Sequence, residues 1–306
     1  MDKKVSIILL NYKYRGIKDT LECVKSLEEL DYNNYEVIIV DNHSEDGSYE
    51  ALKIEIEDRH IIIEASENGG FAKGNNIGIE YALKNESDFV LLLNNDTIVE
   101  KKFLRELVSC YEKHRDAGII TSKILYEEKR NLIWFAGGEI NLKRFYGYHY
   151  GEKQEDREEF NKEKVITFAT GCVMLIPRAV LQEVGLLPKE YFMYYEDVDY
   201  CLQVQQSGRK IYYCPKSIVY HKVSAATGGE ESPFAVKWNT RNRIIFMDKY
   251  KDLVSLSALF KSKLFFYMSR IIKYLQYYRK GKKEKAAALR EGMREGRRYT
   301  VYKKKL

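Results

Sequence analysis

The chain has 306 residues, 45% of them hydrophobic and 31% charged, which is ordinary for a soluble globular protein with one large domain or two smaller ones. Its five cysteines are scattered and form no CxxC pair, which argues against a disulfide framework or a structural zinc site and favours a reducing compartment. The net charge of +6 is unevenly placed, since residues 261–306 carry 16 Lys and Arg against three Glu and follow an acidic body.

Strands and helices alternate through the first 126 residues. The predicted strands are "VSIILLNY" (5–12), "YEVIIVDN" (35–42), "HIIIEAS" (60–66), "DFVLLLNND" (88–96) and "AGIITSKIL" (117–125). Apolar residues recur at helical spacing between them, as in the segment from Ile17 to Leu27. Alternation at this period predicts right-handed crossovers and a parallel sheet.

After Tyr126 the elements become shorter and less regular. They are the antiparallel strands 131–140 and 144–151, the strand "VITFATGCVMLIP" (165–177), the helices 178–185 and 196–208, and the strands "KIYYCP" (210–215) and "SIVYHK" (217–222). We therefore predict one large domain at residues 1–250, with halves at 1–126 and 127–250, and a basic amphipathic helical tail at 251–306.

The sequence offers neither a signal peptide nor eighteen consecutive apolar residues, so we predict a cytoplasmic chain without a transmembrane span. In the tail, apolar residues between Leu264 and Tyr278 recur at helical spacing and are flanked by basic side chains. This pattern suits a helix lying in a membrane interface, on the inner face of the cell membrane. Packing of the apolar stripe on the domain or on a partner subunit is the alternative.

Polar side chains end three of the predicted strands, at Asn11, at Asp41 and Asn42, and at Asn94–Asp96. Ligands bind at the carboxyl ends of parallel strands, so these ends and the loop "ENGGFAKGNN" (67–76) together predict a nucleotide pocket. The loop is neither a Walker loop nor a GxGxxG fingerprint. For any single strand end, termination by a turn-forming amide or carboxylate is the alternative explanation.

Two further groups are ambiguous by themselves. Glu196, Asp197 and Asp199 begin a predicted helix, where carboxylates also satisfy unpaired amides and the helix dipole. His221 ends an apolar strand, and a single histidine there is more often structural than a ligand.

Seven motifs in order resemble the family 2 glycosyltransferases with the GT-A fold, nearest their rhamnosyltransferase-like branch. The motifs are "VSIILLNY", "VIIVDNHSEDGS", "NGGFAKGNNIGI", "LLLNNDT", "TGCVMLIPRAV", "FMYYEDVDYCLQVQQSG" and "IVYH", within residues 3–250. The resemblance implies an α/β fold of the GT-A class. Such a fold has a Rossmann-like, mostly parallel nucleotide-binding sheet, which would be the half at 1–126. It also has an antiparallel extension on the acceptor side, which would make 127–250 the acceptor-binding half, followed here by C-terminal helices.

The resemblance also implies roles for individual residues. The implied donor-binding residues are Asn11, Asp41, Asn42, Ser44, Asn68, Gly70, Phe71, Asn75 and Asn95. Asp96 matches the last carboxylate of the family's D-x-D metal motif, whose first position is Asn94 here, and His221 matches a histidine that completes the metal site in many relatives. Asp197 falls at the position of the catalytic base. Candidate contacts to the acceptor or a phosphate are Glu196, Arg241 and Asn242.

The implied reaction is an inverting transfer, a single displacement at the anomeric carbon with a nucleoside diphosphate leaving. Mg²⁺ or Mn²⁺ at Asp96 and His221 offsets the charge of the leaving group, and Asp197 takes the proton of the acceptor hydroxyl from the opposite side. The expected donor is dTDP-rhamnose, with UDP-hexoses as contenders. The expected acceptor is a glycan or a lipid-linked sugar in the synthesis of a bacterial-type surface polysaccharide or glycolipid.

Two other functions fit parts of the sequence. A nucleotidyltransferase needs a basic glycine-rich phosphate loop near the first strand, and residues 9–20, "LLNYKYRGIKDT", match one poorly. A non-enzymatic protein whose basic tail binds nucleic acid leaves the positions of Asp41, Asp96, Asp197 and His221 unexplained. We therefore expect no nucleic acid partner, and an anionic membrane surface is the candidate partner of the tail.

Overall fold

The computed structural model describes residues 2–56, 59–223 and 231–303, so the last three residues of the predicted tail lie outside it. The chain separates into two compact units. The first comprises Met1–Glu139, Tyr148–Phe192 and Glu196–Val223, and the second comprises Ile140–Gly147, Met193–Tyr195 and Ser224–Leu306.

The elements follow the predicted order. The strands are β1 Val5–Asn11, β2 Tyr35–Asp41, β3 Ile61–Glu64, β4 Phe89–Leu93, β5 Thr97–Val99, β6 Ala117–Tyr126, β7 Ile133–Phe135, β8 Gly138–Asn141, β9 Tyr146–His149, β10 Lys164–Ile166, β11 Val173–Pro177 and β12 Lys210–His221. The helices are α1 Ile17–Leu27, α2 Ser48–Ile56, α3 Gly70–Lys84, α4 Phe103–Lys113, α5 Arg178–Val184, α6 Glu196–Gln206, α7 Pro233–Lys249, α8 Leu256–Arg279 and α9 Lys283–Lys303.

The first unit is built on one twisted sheet with the strand order β10-β12-β6-β11-β4-β1-β2-β3. Strands β3, β2, β1 and β4 are parallel neighbours, and β12 is parallel to β6. The side chains of β1 and β4 are nearly all buried, because helices cover both faces of a parallel sheet, and this explains why their sequences are continuously apolar. The predicted α/β fold with a mostly parallel sheet and C-terminal helices is confirmed.

One strand of the second half enters the sheet where the alternating pattern predicts only parallel neighbours. Strand β11 lies between β4 and β6 and is antiparallel to both, with Val173 opposite Leu93 and Leu175 opposite Ile120. The apolar run of β11 favours a buried position, but the sequence does not say which two strands it separates.

Two details near the end of β12 differ from the prediction. The segments predicted as strands 210–215 and 217–222 form one strand, whose pairing with β6 shifts register between Cys214 and Ile218. Pro215 lies in this interval and lacks the N–H that a regular ladder needs. The short strand β5 was not predicted, and it pairs with the end of β12 so that Thr97 lies opposite His221.

The second unit contains the three C-terminal helices. Ser232 and Ser255 cap α7 and α8, each accepting a backbone N–H bond three residues on. A small apolar cluster joins the helices through Val236, Tyr277, Ala286 and Leu289. Among the described residues, no helix is long and apolar enough to cross a bilayer.

Candidate active site

The carboxyl ends of β1, β2 and β4 are joined by a chain of side-chain hydrogen bonds. The amide of Asn11 donates to Asp41 Oδ2 at 2.8 Å, and Thr20 Oγ1 of α1 donates to Asn11 Oδ1 at 3.0 Å. The amide of Asn95, after β4, donates to Thr20 Oγ1 at 2.8 Å. The three polar strand ends therefore form one network, as the parallel sheet requires, and Thr20 is a member that the sequence analysis missed.

Asp41 also organises the turn that follows β2. Its Oδ1 accepts the backbone N–H of Ser44 at 2.9 Å, and its Oδ2 accepts the hydroxyls of Ser44 at 2.7 Å and Ser48 at 3.0 Å. The carboxylate is almost completely buried. These bonds fix the backbone of residues 41–48, so any contribution of Asp41 to a nucleotide site includes shaping this turn.

The predicted donor loop opens α3 and is fixed at both ends. Asn42 donates to Asn68 Oδ1 at 3.0 Å and accepts from the backbone N–H of Gly69 at 3.3 Å. Gly70 has a φ of +73°, and a Cβ there would lie 1.9 Å from the carbonyl oxygen of Phe192, so only glycine fits. The amide of Asn75 donates to the carbonyl of Phe71 at 2.9 Å, one helical turn earlier.

Strand β5 places Asp96 beside His221, although the two residues are 125 positions apart. Asp96 Oδ1 lies 3.1 Å from His221 Nε2, and the amide nitrogen of Asn94 lies 3.5 Å from the same ring nitrogen. The ring of Trp134 packs edge-on against the imidazole at 4.5 Å. Both polar side chains are largely buried, and His221 Nδ1 finds no hydrogen-bond partner among the described residues.

This pair could hold a hard divalent cation. A carboxylate oxygen, the ligand type that suits Mg²⁺ and Mn²⁺, faces an imidazole nitrogen, a ligand type that suits a transition-metal ion such as Mn²⁺ better than Mg²⁺. Asn94, in place of the first acid of the family motif, leaves one protein carboxylate here, so a bound diphosphate would have to supply other oxygens. The neighbouring Lys222 is engaged elsewhere, because its ammonium pairs with Asp19 at 2.8 Å and with Glu22.

Asp197 lies in the first turn of α6 and is held by two backbone donors. Its Oδ2 accepts the N–H of Gly171 at 3.1 Å, and its Oδ1 accepts the N–H of Val198 at 2.8 Å. Burial raises the pKa of Asp197, and these two bonds oppose the rise. A raised pKa suits a general base, because the proton affinity of the carboxylate is greater.

The adjacent Glu196 has a different environment. It is 4% exposed, and its Oε2 has no hydrogen-bond partner in the part of the chain that the structure describes. Burial, followed by the charge of Asp197, raises the pKa of Glu196 well above its ordinary value. The two neighbouring acids therefore need not share one protonation state, which separates their chemical roles.

A two-residue backbone segment before β11 connects the two groups of candidate residues. The N–H of Gly171 donates to Asp197, while the carbonyl of Cys172 accepts the N–H of Asn94 at 3.0 Å. A Cβ on Gly171 would lie 3.0 Å from the Phe71 ring and 3.7 Å from Cβ of Asp197. The strand end that carries Asp96, the donor loop and Asp197 thus meet at this segment, and Gly171 is a second residue that the sequence analysis missed.

Arg241 and Asn242 lie in α7, in the second unit. The amide nitrogen of Asn242 donates to the carbonyls of Met193 and Tyr194, both at 2.8 Å, and its oxygen accepts from Arg241 at 2.5 Å. Asn242 is completely buried. Its described bonds hold residues 193–194, just before Glu196 in the chain, and its predicted contact to an acceptor or phosphate stays a prediction.

Residues 6–185 match the family described as Glycosyl transferase family 2. The chain belongs to this family. Among curated relatives, it is 28% identical over 242 residues to the low-salt glycan biosynthesis hexosyltransferase Agl10 of Haloferax volcanii, covering 79% of this chain and 74% of Agl10. It is 25% identical to the dTDP-rhamnosyl transferase RfbF of Shigella flexneri, covering 64% of this chain and 63% of RfbF. It is 22% identical to rhamnosyltransferase WbbL of Escherichia coli K12, covering 81% of this chain and 94% of WbbL.

Solved structures give the fold of this glycosyltransferase. GalNAc-T7, crystallised with UDP, GalNAc and Mn²⁺, superposes with a TM-score of 0.62 at 17% identity, over 82% of this chain and 49% of that one. Residues 1–349 of S. aureus TarS superpose with a TM-score of 0.52 at 15% identity, over 96% of this chain and 91% of that one. The predicted GT-A fold and rhamnosyltransferase-like resemblance are confirmed, and the chain spans about half of the GalNAc-T7 chain.

Proposed function

We propose that this glycosyltransferase moves one sugar, with inversion, from a nucleoside diphosphate to a glycan or lipid-linked acceptor. The observation that carries the proposal is that residues 171–172 contact both Asp197 and the strand end that carries Asp96, which lies beside His221. Separate positions for a cation-binding carboxylate and a proton-accepting carboxylate are what a single displacement requires.

In this mechanism the strand-end network and the donor loop hold the nucleotide. Asp96 and His221 would hold a Mg²⁺ or Mn²⁺ ion, which when bound offsets the negative charge of the diphosphate. Asp197 orients the acceptor hydroxyl and accepts its proton. Gly171 and Val198 fix the direction of the Asp197 carboxylate, so that little rearrangement is needed when the acceptor arrives.

We propose dTDP-rhamnose as the donor, which the names of RfbF and WbbL support. A UDP-hexose is the second candidate, because Agl10 is named a hexosyltransferase and the GalNAc-T7 structure contains UDP. The product would be part of a bacterial-type surface polysaccharide or glycolipid, made on the cytoplasmic side of the membrane.

The donor is tested by thermal stabilisation and hydrolysis with a panel of dTDP- and UDP-sugars, each with and without Mn²⁺. A ligand that binds only the folded protein increases the free energy of unfolding, by about 2.7 kcal/mol when its concentration is 100 times its Kd. The melting temperature rises as a result. We expect the largest cation-dependent shift with dTDP-rhamnose. A larger shift with a UDP-hexose would replace rhamnose as the donor, and no shift with any nucleotide sugar would contradict the function.

The tail is proposed to hold the enzyme on an anionic membrane. One face of α8 is apolar and exposed; its side chains, 48–68% exposed, are Phe260, Leu264, Met268, Ile271, Leu275 and Tyr278. Beside this face, α8 and α9 form a groove lined by five arginines together with Ile271, Tyr274, Leu289 and Met293. An exposed apolar stripe next to clustered guanidinium groups suits acyl chains and lipid phosphates together.

We expect Leu264→Glu combined with Leu275→Glu to release the enzyme from vesicles that contain anionic lipid. Both side chains are about half exposed, so the fold tolerates the change better than deletion of α9, which packs on α7. Burying a leucine stabilises by roughly 1.5 kcal/mol or more, so losing two weakens partitioning on the order of 10²-fold. Co-sedimentation at low salt measures this.

The matched control for this experiment is Ile54→Glu, which changes an apolar side chain that is 85% exposed in α2 of the first unit. It should sediment with the vesicles like the unchanged protein. If the α8 variant also sediments fully, or if the change alters only the oligomeric state in gel filtration, the membrane role of α8 is wrong.

A further inference from the structure

Three side chains that commonly bind metals converge at a place that the proposed mechanism does not use. Cys110 and His114 lie one helical turn apart at the end of α4, and Glu163 directly precedes β10. The Cys110 sulfur, a ring nitrogen of His114 and a carboxylate oxygen of Glu163 all lie within 4.8 Å of one another. His114 Nε2 and Glu163 Oε1 are 2.6 Å apart.

A second thiol lies beside this group without belonging to it. Cys214, in β12, is buried like Cys110, and its Sγ donates to the carbonyl of Glu106 at 3.6 Å. Cys110 is therefore the thiol that the group offers to a cation, which would bind it as the thiolate.

The surrounding residues hold the ligands in place. The His114 ring stacks on Tyr212 with centroids 4.1 Å apart and an interplanar angle of 13°, and the Tyr212 hydroxyl donates to Asp116 at 3.1 Å. The side chains of His114 and Glu163 keep 29% and 31% of their surface exposed, so an ion can enter from solvent. Lys113 lies 3.9 Å from Glu163 and is the cation that a metal would have to displace from that carboxylate.

We propose that Cys110, His114 and Glu163 bind a divalent transition-metal ion, for which Zn²⁺ is the best match. A sulfur, an imidazole and a carboxylate form a donor set that zinc prefers and that Mg²⁺ and Ca²⁺ do not. Zinc ligands lie about 2.0–2.3 Å from the ion, so the three side chains need small rotations toward a common centre.

The site would be structural. On β6 the partners of Cys214 and His221 are Ser122 and Tyr126, four residues apart, which is a separation of roughly 13 Å at 3.3 Å per residue. A zinc ion at Cys110, beside Cys214, is therefore separate from the Asp96–His221 pair and would tie the end of α4 to the start of β10. The absence of a CxxC pair argued against zinc, but that argument does not apply to ligands that the fold assembles from separate segments.

The test compares zinc binding by the full chain and four variants, all purified anaerobically and dialysed against excess Mg²⁺. Cys110→Ser and His114→Ala remove ligands, while His60→Ala removes a histidine from another ion pair with a glutamate, Glu28. Asp96→Ala removes the carboxylate of the candidate active site. Zinc content is measured by mass spectrometry of the metal, and Co²⁺ is added as a probe whose absorption reports sulfur ligation.

We expect one equivalent of zinc in the unchanged protein, in His60→Ala and in Asp96→Ala, with intense sulfur-to-cobalt absorption after exchange. Cys110→Ser and His114→Ala should lose tenfold or more of their zinc affinity and most of this absorption. The proposal is overturned if the unchanged protein binds no zinc, if His114→Ala binds it like the unchanged protein, or if zinc is lost with Asp96. A disulfide between Cys110 and Cys214 in the purified protein would also overturn it.

Discussion

Replacing Asp197 by Asn is expected to lower the turnover number for glycosyl transfer on the order of 10²-fold or more, because an amide cannot accept the proton of the acceptor hydroxyl. Donor binding should be largely kept, since the side chain keeps its size. One of the two backbone bonds, from Gly171 or Val198, loses its acceptor in the variant. Steady-state kinetics with varied acceptor, together with calorimetry of donor binding, separate these effects.

Glu196→Gln is the control for this variant, because it changes the neighbouring acid by the same chemistry. If Glu196→Gln abolishes transfer and Asp197→Asn does not, the two roles are misassigned. The pH profile gives a second check: burial raises the pKa of Asp197, so activity should fall as the pH drops through a value above that of an ordinary aspartate. Above that pH the carboxylate is charged and the base is available.

Replacing Asp96 by Ala is expected to abolish cation-dependent turnover of the nucleotide sugar while the protein remains folded. The change removes the protein carboxylate of the proposed cation site, leaving His221 with the Asn94 amide at 3.5 Å. His221→Ala should weaken Mn²⁺ dependence less, because a neutral ligand is lost rather than a charge. Activity is measured across a Mn²⁺ titration with a chelator control, and folding by circular dichroism and the melting temperature.

Asp88→Ala is the matched control for Asp96→Ala, since Asp88 precedes the same strand at its opposite end and pairs with Lys3 on the surface. It should keep normal Mn²⁺ dependence. An Asp96→Ala enzyme with nearly unchanged, chelator-sensitive activity would remove Asp96 from the site. A His221→Ala enzyme less active than Asp96→Ala would assign the main cation ligand to the histidine instead.

The parallel strands could be predicted from the sequence because burial on both faces demands continuous apolar runs. β1 and β4 therefore stand out without knowledge of their neighbours. β5 could not be predicted, because its three residues follow Asn94–Asp96, whose side chains equally suit a turn. What makes β5 a strand is its pairing with the end of β12, more than 100 residues later.

The residues of the candidate site could likewise be predicted from the sequence only in part. Asn11 and Asp41 end strands at one edge of the sheet, so their proximity follows from parallel topology alone. The positions of Asp197 and His221 came from resemblance, since neither residue has a local pattern that distinguishes a ligand from a structural side chain. Thr20 joins the network only through the packing of α1 on the strand ends, a tertiary contact that no motif in the sequence marks.

The place of β11 in the sheet has a consequence for how this protein is made on the ribosome. Until Pro177 has been synthesised, β4 keeps one bare backbone edge, and β6 lacks both β11 and β12, two of the strands with which it pairs. Both are largely apolar strands, which in that state can pair with another nascent chain. The first 126 residues thus contribute strands to a sheet that is complete only when β11 and β12 have been made.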